Sequence, residues 1–155
     1  MINRLLFALV CMIFFPSMAC AGEAIIYSSV KDGYWQICSI GPDGNGEQQL
    51  TFSAFDKRDP VGIDHGREII VRDNNGGLYS IDLDTKNEEN FLKQFRNAQG
   101  LSYSPILKKV VFVSLSLSQP EMSEIWISDS QGNDARQLTQ DRQFKYQPIF
   151  SPEGD

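Results

Sequence analysis

Few residues of this 155-residue chain are of types that do covalent chemistry, and their spacing argues against it. His65 is the only histidine, and a lone histidine beside a glycine reads as a solvated turn before it reads as a base or a ligand. No Gly-x-Ser-x-Gly run is present to carry a hydrolase nucleophile. No cysteine–histidine cluster has the spacing zinc requires. Asp82 and Asp84, followed by Asn87 and Glu88, alternate like the start of a calcium loop. Lys86, however, stands where the third oxygen ligand belongs, and the glycine such a loop needs is missing. These residues are expected to form a turn, as is the Asp-Asn-Asn-Gly-Gly run from Asp73 to Gly77. No catalytic residue, metal or cofactor is expected.

Residues suited to binding are more numerous. Lys31, Tyr34 and Trp35 form one group, Phe55, Lys57, Arg58 and Asp59 a second, and Arg142, Phe144, Lys145 and Tyr146 a third. Aromatic and arginine side chains are enriched where proteins dock on one another, because they bury large areas while keeping a polar handle. Packing between elements, or a solvated rim, explains any single one better, and the group as a whole equally well. Together, Lys31, Tyr34, Trp35, Arg58, Asp59, Arg142, Phe144 and Tyr146 are the candidate partner-binding face.

What must position these groups is a repeat. Residues 36–66 fall on residues 124–154 without a gap, with nine identities in 31, where chance gives roughly two. Ile37, Gly44, Asn45, Gln49, Leu50, Thr51, Lys57, Pro60 and Gly66 match Ile125, Gly132, Asn133, Gln137, Leu138, Thr139, Lys145, Pro148 and Gly154. A more divergent copy lies between, around the Gly-Gly-Leu-Tyr-Ser-Ile-Asp run from Gly76 to Asp82. Half the offset is the length of one propeller blade. Each unit reads as short strands separated by turns, with Asp43-Gly44 and Gln131-Gly132 supplying residues that tolerate positive φ. Strands such as Glu124–Ser128 are apolar on both faces, as strands sandwiched between neighbouring sheets are. The Lys86–Gln99 stretch is the nearest approach to a helix, and three asparagines weaken it.

At these positions the chain resembles the TolB-like β-propellers, whose WD-like repeats run strand, Asp-Gly hairpin, strand, Asp-Gly turn, Leu-Thr, then Pro-x-x-Ser-Pro-Asp-Gly. The pattern is carried by Asp32-Gly33, Gln36–Ile40, Asp43-Gly44, Leu50-Thr51 and Pro60, and again by Glu124–Ser128, Leu138-Thr139 and Pro148–Gly154. The resemblance implies an all-β fold of four-stranded antiparallel blades, about three of them, at approximately 24–60, 61–104 and 105–147, with a further blade beginning at 148–155. It also implies a non-enzymatic role in binding envelope proteins, including a peptidoglycan-associated lipoprotein. The alternatives are the propeller part of an exported peptidase or hydrolase, or a propeller that binds a small ligand. Three blades form an open arc, which fits either a fragment of a longer reading frame, the preferred expectation, or a homodimer closing a six-bladed ring.

The first 21 residues read as a cleavable signal peptide. Arg4 precedes an apolar run too short to span a bilayer, and Ala19-Cys20-Ala21 offers small residues for cleavage. A periplasmic or secreted protein is therefore expected, with lipidation at Cys20 as the lesser alternative. Cleavage would leave Cys38 without an intramolecular partner, and its apolar setting points to the core. The net charge of −6, lowered further by losing Arg4, makes nucleic acid and anionic lipid poor partners.

Overall fold

The computed structural model describes residues 24–116, 118 and 122–153. The expected signal peptide and its Cys20 alternative lie outside the described residues. Eleven strands form three consecutive antiparallel meanders. The first sheet comprises β1 (Ile25–Lys31), β2 (Tyr34–Ile40) and β3 (Gln48–Gln49). The second holds β4 (Arg58–Ile63), β5 (Glu68–Arg72), β6 (Leu78–Asp82) and β7 (Glu88–Phe91). The third holds β8 (Ala98–Ser104), β9 (Lys109–Leu115), β10 (Ser123–Asp129) and β11 (Arg136–Gln137). This is the expected all-β architecture, and Glu88–Phe91, within the most helix-like stretch, is a strand. No helix among the described residues is long and apolar enough to cross a membrane.

Sheets and sequence repeats are out of phase. Strand β4 spans the repeat boundary at 60/61, and β8, which precedes the boundary at 104/105, hydrogen-bonds to β9 and opens the third sheet. The repeat follows recurring residues, whereas the sheet follows backbone pairing. Gln147–Ser151, expected as the first strand of another blade, forms no strand. A strand needs a ladder partner, and none of the described strands pairs with it.

The second sheet is buried on both faces. In β5, Ile69, Ile70 and Val71 are each almost fully buried, and alternate side chains of a strand point to opposite faces. Ile69 and Val71 pack with Ile37, Leu50 and Ile81 against the first sheet. Ile70 packs with Ile63, Leu78, Phe91, Val110 and Phe112 against the third. Phe95 bridges the same interface, edge-on to Phe112 and Trp126 with centroids 4.9 Å away in each case. Truncating Ile70 to alanine should cost about 2–5 kcal/mol. Cys38 is a fully buried free thiol, and burial raises its pKa.

The first strands of the second and third sheets each carry a bulge, between Arg58 and Val61 in β4 and between Gln99 and Ser102 in β8. The bulged segments contain Asp59 at φ +53° and Gly100 at φ +61°. A Cβ on Gly100 would lie 3.1 Å from the Gln147 backbone, so glycine there satisfies both the left-handed backbone and a close approach.

Candidate functional site

The β1–β2 hairpin turns through Asp32 (φ +51°) and Gly33 (φ +85°), a geometry that suits the right-handed strand twist. The turn places Lys31 opposite Tyr34, the first residue of β2, and Val30 opposite Trp35. The β3–β4 connection returns to the same end, where Lys57 N–H donates to Trp35 O at 2.8 Å. Gln36 clamps this connection with four hydrogen bonds. Its Nε2 donates to Ser53 O and Phe55 O, and its Oε1 accepts from Thr51 Oγ1 and Ser53 N.

At the centre is Asp56, which the sequence did not single out. Its Oδ1 accepts the Trp35 N–H at 2.8 Å, and its Oδ2 accepts from Asn74 Nδ2 and, at 3.1 Å, from Arg58 Nη2. These donors, the Trp35 amide foremost, hold the Asp56 carboxyl below the usual carboxylate range. The guanidinium of Arg58 thereby lies over the Trp35 indole, 4.9 Å from the ring centroid. Arg58 Nε is buried and has no hydrogen-bond partner among the described residues. The result is a charged, planar and partly exposed platform. Such a group can donate to a peptide carbonyl or carboxylate while its stacked face excludes water.

The other candidates divide around this platform. Asp59 accepts two bonds from Arg72, through Nε at 3.0 Å and Nη2 at 2.6 Å, and shares a pocket of about 330 Å³ with Tyr146. Lys31 pairs instead with Glu47 at 3.2 Å. Arg142 and Phe144 belong to the last connection, where Arg142 N–H donates to Glu124 Oε1 at 2.9 Å. Phe144 and Tyr146 are largely exposed.

Lys57 corrects the sequence reading, which grouped it with the loop-surface residues. It is fully buried between the first two sheets, its ammonium bonded to Glu88 Oε1 at 2.5 Å and 4.5 Å from the Phe55 centroid. Its repeat mate Lys145 pairs with Asp141 and Glu124, keeping some exposure. His65 sits in an exposed turn at φ +56°. Asp82 Oδ1 accepts the amides of Asp84 and Thr85, closing a turn.

Three successive antiparallel meanders sharing two apolar interfaces define an incomplete β-propeller, and the likeness to TolB-like propellers seen in the sequence holds. Tol-Pal system protein TolB of Anaeromyxobacter dehalogenans is 28% identical over 120 residues, covering 76% of this chain and 27% of that protein. The TolB of Anaeromyxobacter sp. (strain K) matches to the same extent. The chain thus spans about a quarter of the length of the curated relatives it matches. No family model matches. Among solved structures, a TolB from Agrobacterium tumefaciens superposes with a TM-score of 0.63 at 20% identity, covering 76% of this chain and 45% of that one. An oligogalacturonate lyase in complex with manganese gives a TM-score of 0.64 at 13% identity over 84% of this chain and 40% of its own. At those identities the two structures establish the fold.

Proposed function

We propose that this chain is a non-enzymatic, protein-binding propeller module of the bacterial envelope, periplasmic once its signal segment is removed. It docks a partner through the loop end built on Trp35, Asp56 and Arg58. The observation that carries this reading is the Arg58–Trp35 stack locked by Asp56: an arginine and a tryptophan, pre-organised at low entropic cost, are the residues that dominate binding energy where proteins meet. The sequence similarity to Tol-Pal system proteins supports a partner from the same system, with a peptidoglycan-associated lipoprotein the first candidate. An enzymatic alternative rests only on fold likeness to oligogalacturonate lyases at 13–14% identity.

Calorimetric titration of the full chain with the soluble domain of a peptidoglycan-associated lipoprotein tests the proposal. Binding should weaken at least about 30-fold in Arg58→Ala, the scale of a hot-spot residue, with the circular dichroism spectrum unchanged. No binding by the unmutated chain, or equal binding by Arg58→Ala, overturns it.

A further inference from the structure

Between the tips of the β1–β2 and β5–β6 hairpins lies an open pocket of about 550 Å³, to which the docking platform contributes only Asp56. Its apolar walls are the rings of Tyr34, Phe55 and Tyr79, with Phe55 and Tyr79 tilted at 52° and 6.4 Å between centroids. Phe55 and Tyr34 are 44% and 41% exposed, so two aromatic rings face solvent at one spot. The rim is polar and has hydrogen-bonding capacity to spare. Asp73 Oδ2 takes only the Tyr79 hydroxyl, at 3.2 Å, and the Asn75 side-chain amide has no partner among the described residues. Asn74 spends one donor on Asp56, leaving its amide oxygen available.

The charges around the pocket select against an ionic occupant. A cation stacking on Phe55 would have to share that ring with the Lys57 ammonium, which already lies 4.5 Å from its centroid. An anion would meet the carboxylates of Asp56 and Asp73, both lining the cavity. What suits aromatic walls and a rim of amides and carboxylates is a neutral ring with one apolar face and hydroxyls on its edge.

We infer that this pocket binds a neutral sugar ring of a glycan, its apolar face on Tyr34 and Phe55 and its hydroxyls bonded to Asp73, Asn74 and Asn75. The pocket adjoins the docking platform and shares Asp56 with it, but neither Trp35 nor Arg58 lines it, so sugar binding and protein docking are measured separately.

Saturation-transfer NMR on the full chain decides it, using maltotriose, cellotriose and chitotriose as probes and butylammonium as the cationic control. At least one trisaccharide should receive saturation when aromatic protons are irradiated, and the signal should fall at least severalfold in both Tyr34→Ala and Asn75→Ala. Asn75 is an exposed turn residue, so that variant reports even if the Tyr34 change perturbs folding. Transfer to none of the sugars, transfer to butylammonium alone, or sugar signals unchanged in Asn75→Ala overturns the assignment.

Discussion

Thr51 Oγ1 accepts the Ile37 N–H at 2.9 Å, and the repeat-related Thr139 Oγ1 accepts the Ile125 N–H at 3.0 Å. In each case the preceding leucine donates back to the same isoleucine, Leu50 N–H to Ile37 O and Leu138 N–H to Ile125 O, both at 2.8 Å. The outer strands β3 and β11 are only two residues long. The threonine hydroxyl therefore prolongs a ladder that the backbone has stopped building. Gln49 and Gln137 complete the arrangement by donating to the carbonyls of Thr51 and Thr139. Four of the repeat identities thus belong to one small hydrogen-bonding device.

Removing the hydroxyl should therefore cost more in the first sheet than in the third. Thr51 is buried and also donates to the buried Gln36, so Thr51→Val leaves the Ile37 amide without its acceptor and the Gln36 carbonyl with Ser53 N–H as its one remaining donor. The expected loss is about 1–3 kcal/mol. Thr139 is half-buried, so water can replace its hydroxyl and Thr139→Val should cost less. Urea denaturation of the two variants measures the difference, and equal losses would refute this account.

The Lys57–Glu88 pair predicts an asymmetry between its two ends. Lys57 has no solvent exposure, whereas the Glu88 side chain retains about a third. Glu88→Gln strands a buried ammonium and should destabilise the fold by about 1–3 kcal/mol, less than for a wholly buried pair because water reaches the glutamate side. Lys57→Met, which removes the buried charge and leaves only the part-exposed Glu88 unpaired, should cost less. Thermal melts of both variants check the order, and a Lys57→Met variant that is the less stable of the two would contradict it.

Asp56 predicts a pH dependence. Its folded pKa lies below the unfolded value, with the Trp35 amide the chief cause. The unfolded chain therefore takes up this proton first as pH falls. The stabilisation is complete above the ordinary aspartate pKa of about 3.9 and is lost as pH drops through the lower folded value. Asp56→Asn should accordingly lower Tm at neutral pH, with a gap from the unmutated chain that closes in acid. Calorimetric scans at pH 7 and at about pH 3 measure the gap, and a constant one would show that Asp56 carries no such linkage.

The sequence by itself determined the fold class, the hairpin turns and the recurring Gln-Leu-Thr device. These depend on contacts that return in every unit at the same local spacing, so Thr51 and Thr139, or Gly44 and Gly132, stand out by repetition alone. It also placed Arg58 and Trp35 in one candidate set, since both flank connections at the same end of a meander. Only the tertiary structure decided that they stack, because the residue joining them, Asp56, has no matching carboxylate in the third unit: Phe144 stands there. The burial of Lys57 was likewise out of reach. Its partner Glu88 lies 31 residues away, on the last strand of the second sheet, and a lysine's sequence neighbours do not reveal which sheets will close over it. The boundaries of the three sheets were decided the same way, since pairing β8 with β9 rather than leaving it with the preceding unit is settled by backbone hydrogen bonds that leave no residue-type signature.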